Sequence, residues 1–338
     1  MIRTNIRGNV KTLFKALKTA HFKVKRKIFF AERKRGLKEQ EIKTEPEKFA
    51  KENYYYIYGK HIDWENPVLF DEKLTILKAG LYSNNELVIQ CADKYRVRQY
   101  VEECGLKEIL NELYGVWADY KEIDISKIPD KFVLKRNNDA GGVLIVKDKK
   151  QETQLEEKIE KLGKGTVRNY GLIFAEYHYQ HIEPCYICEK YIEDESGRYP
   201  HDYKFFVMNG KVRYILVCVG RDDKKSMLRF MTDRDFRLFP VMPEERQVTE
   251  EEIQQYRPHA LNEMISVAER LAEPFPFVRV DLYQYEEKVM FGELTFTPMG
   301  ALNTYINTIG QWIMGRYLDI SEGSYSARIV SADRRRKR

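Results

Sequence analysis

The sequence predicts an α+β protein, with a helical N-terminal region and mostly antiparallel sheet in its second half. Three observations carry that expectation. Strand-like runs recur at 131–135, 143–146, 186–192, 202–208, 211–219, 277–283 and 288–296. Two of them are separated only by Asn209-Gly210, a pair suited to the type I′ turn that joins antiparallel strands directly. Charged helical stretches at 94–104, 151–163 and 250–272 alternate with the strands. At 338 residues, 43% hydrophobic and 13% aromatic, the chain is long and apolar enough for two or three packed subdomains.

The elements follow in chain order. Over residues 8–20, Val10, Leu13, Phe14 and Leu17 recur at i, i+3, i+4 and i+7, with Lys11, Lys15 and Lys18 mostly on the other faces. This is a short basic amphipathic helix, followed by Lys23, Lys25, Arg26, Lys27, Phe29 and Phe30. Two readings stay open: a segment that lies on an anionic membrane, or a helix packed on the body with a solvated basic face. Residues 32–52 read as a linker or exposed helix. Tyr54, Tyr55, Tyr56 and Tyr58 read as packing against the core, with a glycan contact as the minority alternative. KFVLK (131–135) is a strand, Arg136–Gly142 a loop and VLIV (143–146) the returning strand.

Composition narrows the function classes. Residues 1–38 hold 13 Lys or Arg and a single acid, Glu32, and the last five residues are all basic, so the body between them is net acidic. A nucleic-acid binder carries its positive charge on the folded body, so no nucleic-acid partner is expected. The terminal charges read as surface-seeking arms. No apolar run reaches the roughly 18–20 residues of a membrane span, and no signal-peptide core is present. The expected location is the cytoplasm, with peripheral attachment to the inner face of the membrane through residues 1–38 under the first of those two readings. The five cysteines suggest no disulfide framework. Cys185 and Cys188 form a lone CxxC, read as residues entering a strand. His178 and His181 read as a surface or substrate-side loop rather than a zinc site. No GxSxG elbow or cysteine nucleophile stands out.

The chemistry-bearing residues lie in the later strands. Side chains alternate along a strand, so Arg279 and Asp281 share a face, as do Glu293 and Thr295. If these strands pair, two carboxylates and a cation converge. Mg²⁺ on a nucleotide takes one or two carboxylates plus phosphate oxygens and water, which makes Asp281 and Glu293 candidate metal ligands. A pair of surface ion pairs is the plain alternative. Lys135 ends its strand at a loop containing Gly141 and Gly142, where a lysine and open backbone can meet phosphates. There is no Walker A motif and no GxGxxG. Glu189 and Lys190 lie in an apolar strand that can bind adenine along its edge, and Asp202 and Lys204 share a strand face suited to ribose and phosphates.

The order and spacing of these residues resemble the ATP-grasp superfamily, as in D-alanine–D-alanine ligases and RimK-type glutamate ligases. Asp93-Lys94 looks like the first lysine of that pattern. Lys135 with residues 139–142 looks like its strand-end lysine and phosphate loop. CEKYIED (188–194), with Glu189, Lys190, Tyr191 and Ile192, resembles its adenine segment. Asp202-Tyr203-Lys204 is similar to Asp-x-Arg, Arg279-Val280-Asp281 to Arg-x-Asp, and Glu293-Leu294-Thr295 to Glu-x-Asn. A closer resemblance is to the TupA-like ATP-grasp family of surface polysaccharide and teichuronopeptide loci. It is carried by Asn66–Lys78, Asp93–Val101, Phe132–Gly142, Asp202–Lys211 and Phe275–Gly300, and covers about residues 60–310.

The resemblance implies an ATP-grasp fold, two α+β subdomains clasping ATP. The expected organisation is a basic arm (1–45), a helical region (46–125), a first subdomain (126–192), a second with the metal site (193–315) and a basic tail (316–338). It implies ATP and Mg²⁺, with Asp281, Glu293 and Thr295 as metal ligands and Lys204, Arg279 and Arg221 as catalytic cations. Lys94, Lys135, Gly141, Gly142, Glu189, Lys190, Tyr191, Ile192, Asp202 and Lys204 are its expected nucleotide contacts. The implied activity is carboxylate–amine ligation through an acylphosphate. The expected partners are an amino acid or other carboxylate and a glycan or sugar acceptor, such as a lipid-linked capsule, O-antigen or teichuronic glycan. A glycosyltransferase and a non-catalytic nucleotide-binding scaffold are the rival readings. Two departures stand out: Thr295 takes the place of Asn, and Asn138 and Asp139 replace the His and Gly of the phosphate loop.

Overall fold

The computed structural model describes residues 22–36, 39–139, 141–165, 170–193, 197–220, 227–242, 248–326 and 328–330. The expected helix at 8–20, Ala140, Asp194, Arg221 and the basic residues 334–338 lie outside them. Helices α1 (22–34), α2 (Glu39–Thr44) and α3 (Pro46–Tyr58) take up most of the described part of 32–52, which is therefore helix rather than linker. Pro46 opens α3, where its missing N–H has no intrahelical acceptor to lose.

Helix α1 packs on the body. Phe29 packs at a tilt against Tyr56 with centroids 4.2 Å apart, and Phe30 meets Phe174 at 5.9 Å. Arg33 is buried, and its guanidinium donates to the carbonyl of Leu172 at 3.2 Å. Lys23, Lys25, Arg26 and Lys27 stay exposed. For residues 22–34 the packed-helix reading holds. Tyr54 is buried as expected, its hydroxyl donating to Glu72 Oε1 at 3.1 Å.

Helices α4 (Phe70–Ala79), α5 (Glu86–Ala92) and α6 (Val97–Glu103) follow. The first sheet has the order β1-β4-β2-β3, built from β1 (Leu113–Trp117), β2 (Phe132–Arg136), β3 (Val143–Val146) and β4 (Tyr186–Lys190), with every pair antiparallel. Alternation turns Phe132, Leu134 and Val146 toward Leu155 and Ile159 of α7 (Leu155–Lys164) in a small core that also takes Cys188. The opposite face is left to Val133, Lys135, Val143 and Ile145. A short helix α8 (Tyr170–Ile173) precedes β4. His178 beyond it is fully buried rather than on a surface loop, and burial pushes its imidazole down to about 3.

The second sheet has the order β7-β6-β5-β8-β9, from β5 (Asp202–Met208), β6 (Lys211–Val219), β7 (Leu228–Asp233), β8 (Phe277–Tyr285) and β9 (Lys288–Thr295). The Asn209-Gly210 hairpin forms as expected, both residues at positive φ. The helix expected at 250–272 is two, α9 (Glu250–Gln254) and α10 (Leu261–Ala272). Pro258 lies in the break: it lacks an N–H and disfavours helical geometry in the residue before it. Helix α10 packs on β5, β6 and β8 in the main core, which also draws on α4, α5 and α6. Helix α11 (Thr308–Tyr317) closes against α4. No helix among the described residues is long and apolar enough to cross a membrane.

Candidate functional site

A cleft of about 920 Å³ lies between the two sheets, within the size range of small-molecule sites. Its first wall is the face of β2, β3 and β4 turned away from α7. Val143 and Ile145 are each 46% exposed there, beside Val133 and Ile187, an apolar strip on an otherwise charged cleft. Lys135 emerges from the same face and donates to Glu189 Oε2 at 2.6 Å. Arg98 of α6 holds the other oxygen of Glu189 at 3.0 Å and the carbonyl of Asn111 at 2.7 Å. Burial lowers the Lys135 ammonium, but the charge of Glu189 prevails and holds it above the ordinary lysine value.

The loop after β2 is latched to the start of α6. Asp93 Oδ1 accepts from the backbone of Tyr95 at 2.8 Å and from Asn137 Nδ2 at 3.0 Å. Asn137 also donates to the carbonyl of Glu183 at 2.8 Å and accepts from the Cys185 amide at 2.8 Å. Lys94, next to Asp93, thereby reaches the loop and donates to the carbonyl of Asp139. Burial lowers its ammonium from the ordinary value. The Asp139 carboxylate pairs with Arg136 and accepts from the amides of Gly141 at 3.2 Å and Gly142 at 2.7 Å. The acid in the loop is thus neutralised from within. A Cβ at Gly142 would come 2.4 Å from Arg136 Nε, so packing against Arg136 already requires glycine there.

The second wall is β5, β8 and β9. Their register sets Lys204 opposite Asp281, Asp281 opposite Glu293, and Arg279 opposite Thr295. A bulge at Gly292 makes this register, and a Cβ there would come 2.9 Å from the Asp281 carbonyl. Arg279 donates to Asp281 through Nε at 2.7 Å and Nη2 at 2.8 Å, and Nη2 also reaches Glu293 and Thr295 at 3.0 Å each. Lys204 pairs with Asp281 and lies 2.6 Å from Asp202. The Thr295 hydroxyl donates to Glu293 at 3.1 Å. Burial raises the Glu293 carboxyl, but Arg279, Lys94 and Lys204 outweigh it and pull it down to about 2. Burial lowers Lys204, yet Asp202 and Asp281 hold it above the ordinary lysine value.

The model of the TupA-like ATP-grasp family matches residues 72–318. The chain belongs to that family. Among solved structures, the chain is similar to D-alanine–D-alanine ligase from Helicobacter pylori, at 14% identity over 75% of this chain and 68% of that one, with a TM-score of 0.39. It is also similar to D-alanine–D-alanine ligase from Bacillus anthracis complexed with ATP, at 16% identity over 78% and 69%, TM-score 0.37. A third is the ATP-grasp ligase PsnB complexed with minimal precursor, Mg and ADP, at 10% identity over 66% and 57%, TM-score 0.34. No curated protein matches the chain.

In this TupA-like ATP-grasp chain the cleft is lined by Lys94, Lys135, Glu189, Tyr191, Lys204, Arg279, Asp281, Glu293 and Thr295, all expected at the site. Five other expected contacts lie off its lining. Lys190 faces outward by strand alternation, Ile192 is buried, and Asp202 is fully buried behind Lys204. Gly141 and Gly142 turn their amides to Asp139. Sequence reasoning missed Arg98, Lys147, Glu176 and Thr297, which also line the cleft. Lys147, directly after the VLIV strand, carried a readable signal by strand alternation from Val143 and Ile145. Arg98 and Glu176 come from distant segments and carried none.

The residues fit a nucleotide-borne metal. Asp281 and Glu293 stand opposite each other on paired strands, two hard-oxygen donors that leave remaining positions to phosphate and water. Among the described residues no cluster of three or more His, Cys, Asp or Glu could hold a metal without such help.

Proposed function

We propose that the protein is an ATP-dependent ligase that activates a carboxylate as an acylphosphate and passes the acyl group to an amine or thiol. The observation that carries this reading is the convergence of Lys94, Lys135, Lys204 and Arg279 around the Asp281–Glu293 pair in one cleft with an apolar strip. Val133, Val143, Ile145 and Ile187 suit the faces of a nucleobase, next to Glu189 and Tyr191. Lys135 and Lys94 stand where phosphates emerge from that strip, and each holds a partner that an anion can replace. Magnesium held by Asp281 and Glu293 would offset charge on the transferring phosphoryl group. Arg279, fixed by three neighbours, is placed to stabilise the oxyanion that forms when a nucleophile attacks the activated carboxyl.

The acceptor class, a glycan or amino sugar of a surface polysaccharide, is supported by family resemblance. A glycosyltransferase would use the carboxylates but has no need of four cations around a triphosphate. The test is phosphate release from ATP and Mg²⁺ across a panel of carboxylates, with hydroxylamine trapping. Hydroxamate formed in step with phosphate is the expected result. ATP binding without turnover on any carboxylate would favour the scaffold.

A further inference from the structure

The cleft continues past Thr295 to Thr297, which lies two residues further along and lines the same space. The Thr297 hydroxyl donates to Glu176 Oε1 at 2.5 Å. Glu176 is 3% exposed and lines the cleft, and its Oε2 receives no hydrogen bond among the described residues. Lys78 of α4, also buried, donates to the carbonyls of Phe174 at 2.8 Å and Gly300 at 2.7 Å. It therefore ties together the two segments that carry Glu176 and Thr297. A buried carboxylate oxygen without a donor is costly to keep. This one belongs to a residue that lines the same cleft as Arg279 and Thr295.

We propose that Glu176 receives the ammonium group of a primary-amine acceptor and takes its proton as the amine attacks. The inference rests on the ligase reading above. The acceptor arrives as R–NH₃⁺, and one proton passes to the Glu176 carboxylate. The nitrogen lone pair attacks the carbonyl carbon of the acylphosphate, and a C–N bond forms. The C–O bond to phosphorus breaks, its electron pair leaves on phosphate, and the second nitrogen proton departs with that phosphate. Glu176 then releases its proton to solvent.

The surroundings suit this role. Burial raises the Glu176 carboxyl to about 7, opposed by the Thr297 hydrogen bond and by Lys78, so proton exchange falls near neutral pH. Lys78 is itself lowered to about 8 by burial, with Arg33 of α1 pushing it further down and Glu176 and Asp71 holding it up. His178, buried beside Lys78, is kept neutral.

The experiment compares two probe nucleophiles, ammonium chloride and hydroxylamine, in the presence of ATP, Mg²⁺ and a carboxylate that supports phosphate release. Hydroxylamine is largely uncharged at neutral pH and needs little help in losing a proton. Glu176→Gln is expected to lower kcat with ammonium by about a hundredfold or more, and by at least tenfold less with hydroxylamine. In Glu176→Gln the acid limb of the ammonium pH profile near neutral pH should give way to one set by the ammonium ion's own deprotonation at higher pH, and an infrared carboxylic-acid band that titrates near neutral pH should vanish. Thr297→Val, which keeps the carboxylate but removes its donor, should move that limb to higher pH, and it serves if Glu176→Gln fails to fold. Equal losses with both nucleophiles, or an unmoved acid limb in Thr297→Val, would overturn the role of Glu176 alone. No hydroxamate from the wild type with any carboxylate would overturn the ligase reading, and this assignment with it.

Discussion

The two walls of the cleft come from sheets of the same antiparallel build, yet they hold their charges differently. On the first wall, Lys135 meets Glu189, which it shares with Arg98, and Lys94 rests on a backbone carbonyl. On the second, Lys204, Arg279, Asp202, Asp281, Glu293 and Thr295 form one continuous network. The first wall can hand its cations to an incoming anion by giving up single contacts. The second is held by its own contacts, which is what electrostatic preorganisation requires. In the proposed reaction the first wall would bind and the second would react.

That separation is broken most directly on the second wall. Asp281→Asn and Glu293→Gln should each lower ATP turnover at saturating Mg²⁺ by at least about a hundredfold. Loss of even an outer-shell partner costs about 10–100-fold at metal sites, and these residues are proposed as ligands. Adenosine binding should be nearly unchanged. Turnover near the wild-type rate in either variant would remove the carboxylates from the mechanism.

Next in size is the loop lock behind the first wall. Asp139→Asn leaves Arg136 buried without its counter-charge, and breaking a buried pair from one side costs about 3–5 kcal/mol. The amide retains an acceptor for the glycine N–H groups, so the lower end is expected. Urea unfolding reads the loss, and the double variant Arg136→Met, Asp139→Asn should recover part of it. A single variant as stable as the wild type would show that the lock contributes nothing.

A smaller effect is expected at Lys135. Lys135→Ala removes one charge-assisted contact, worth about 1.5–3 kcal/mol, so calorimetry should find ATP binding weakened by about tenfold to a hundredfold and adenosine binding little affected. Equal losses for the two ligands would make Lys135 a structural partner of Glu189 and erase the contrast between the walls.

The smallest effect tests a region that belongs to neither wall. Removing residues 1–21 should leave ATP turnover within about twofold and weaken sedimentation with anionic vesicles, since each base near such a surface contributes about 1 kcal/mol. Removing 1–36 should also lower thermal stability, because it takes away the buried Arg33 and the Phe29–Tyr56 contact. Unchanged vesicle binding after the shorter deletion would shift that role elsewhere.

Much of the second wall was legible before any coordinates. The strands 277–283 and 288–296, and the shared faces of Arg279 with Asp281 and Glu293 with Thr295, follow from a period of two. The hairpin at Asn209-Gly210 follows from local turn chemistry. Less was legible elsewhere. Strands β1 and β7 and helices α4, α5 and α11 were not anticipated, because packing rather than local pattern defines them. The break at Pro258 had a local signal that the long charged pattern masked. His178 gave no hint of burial, since nothing local distinguishes a core histidine from a loop histidine.

By itself, then, the sequence determined which residues share a strand face, where the chain turns, and the order of motifs that places it among TupA-like ATP-grasp proteins. Only the tertiary structure decided which face looks into the cleft, so that Glu189 enters it and Lys190 does not. It also decided that Asp139 is neutralised by Arg136, and that Glu176 is brought beside Thr297 from a segment 121 residues away. The physical reason is range. Alternation, turn preference and capping are properties of neighbouring residues, whereas burial, charge pairing and strand register arise between segments that meet only when the cores close.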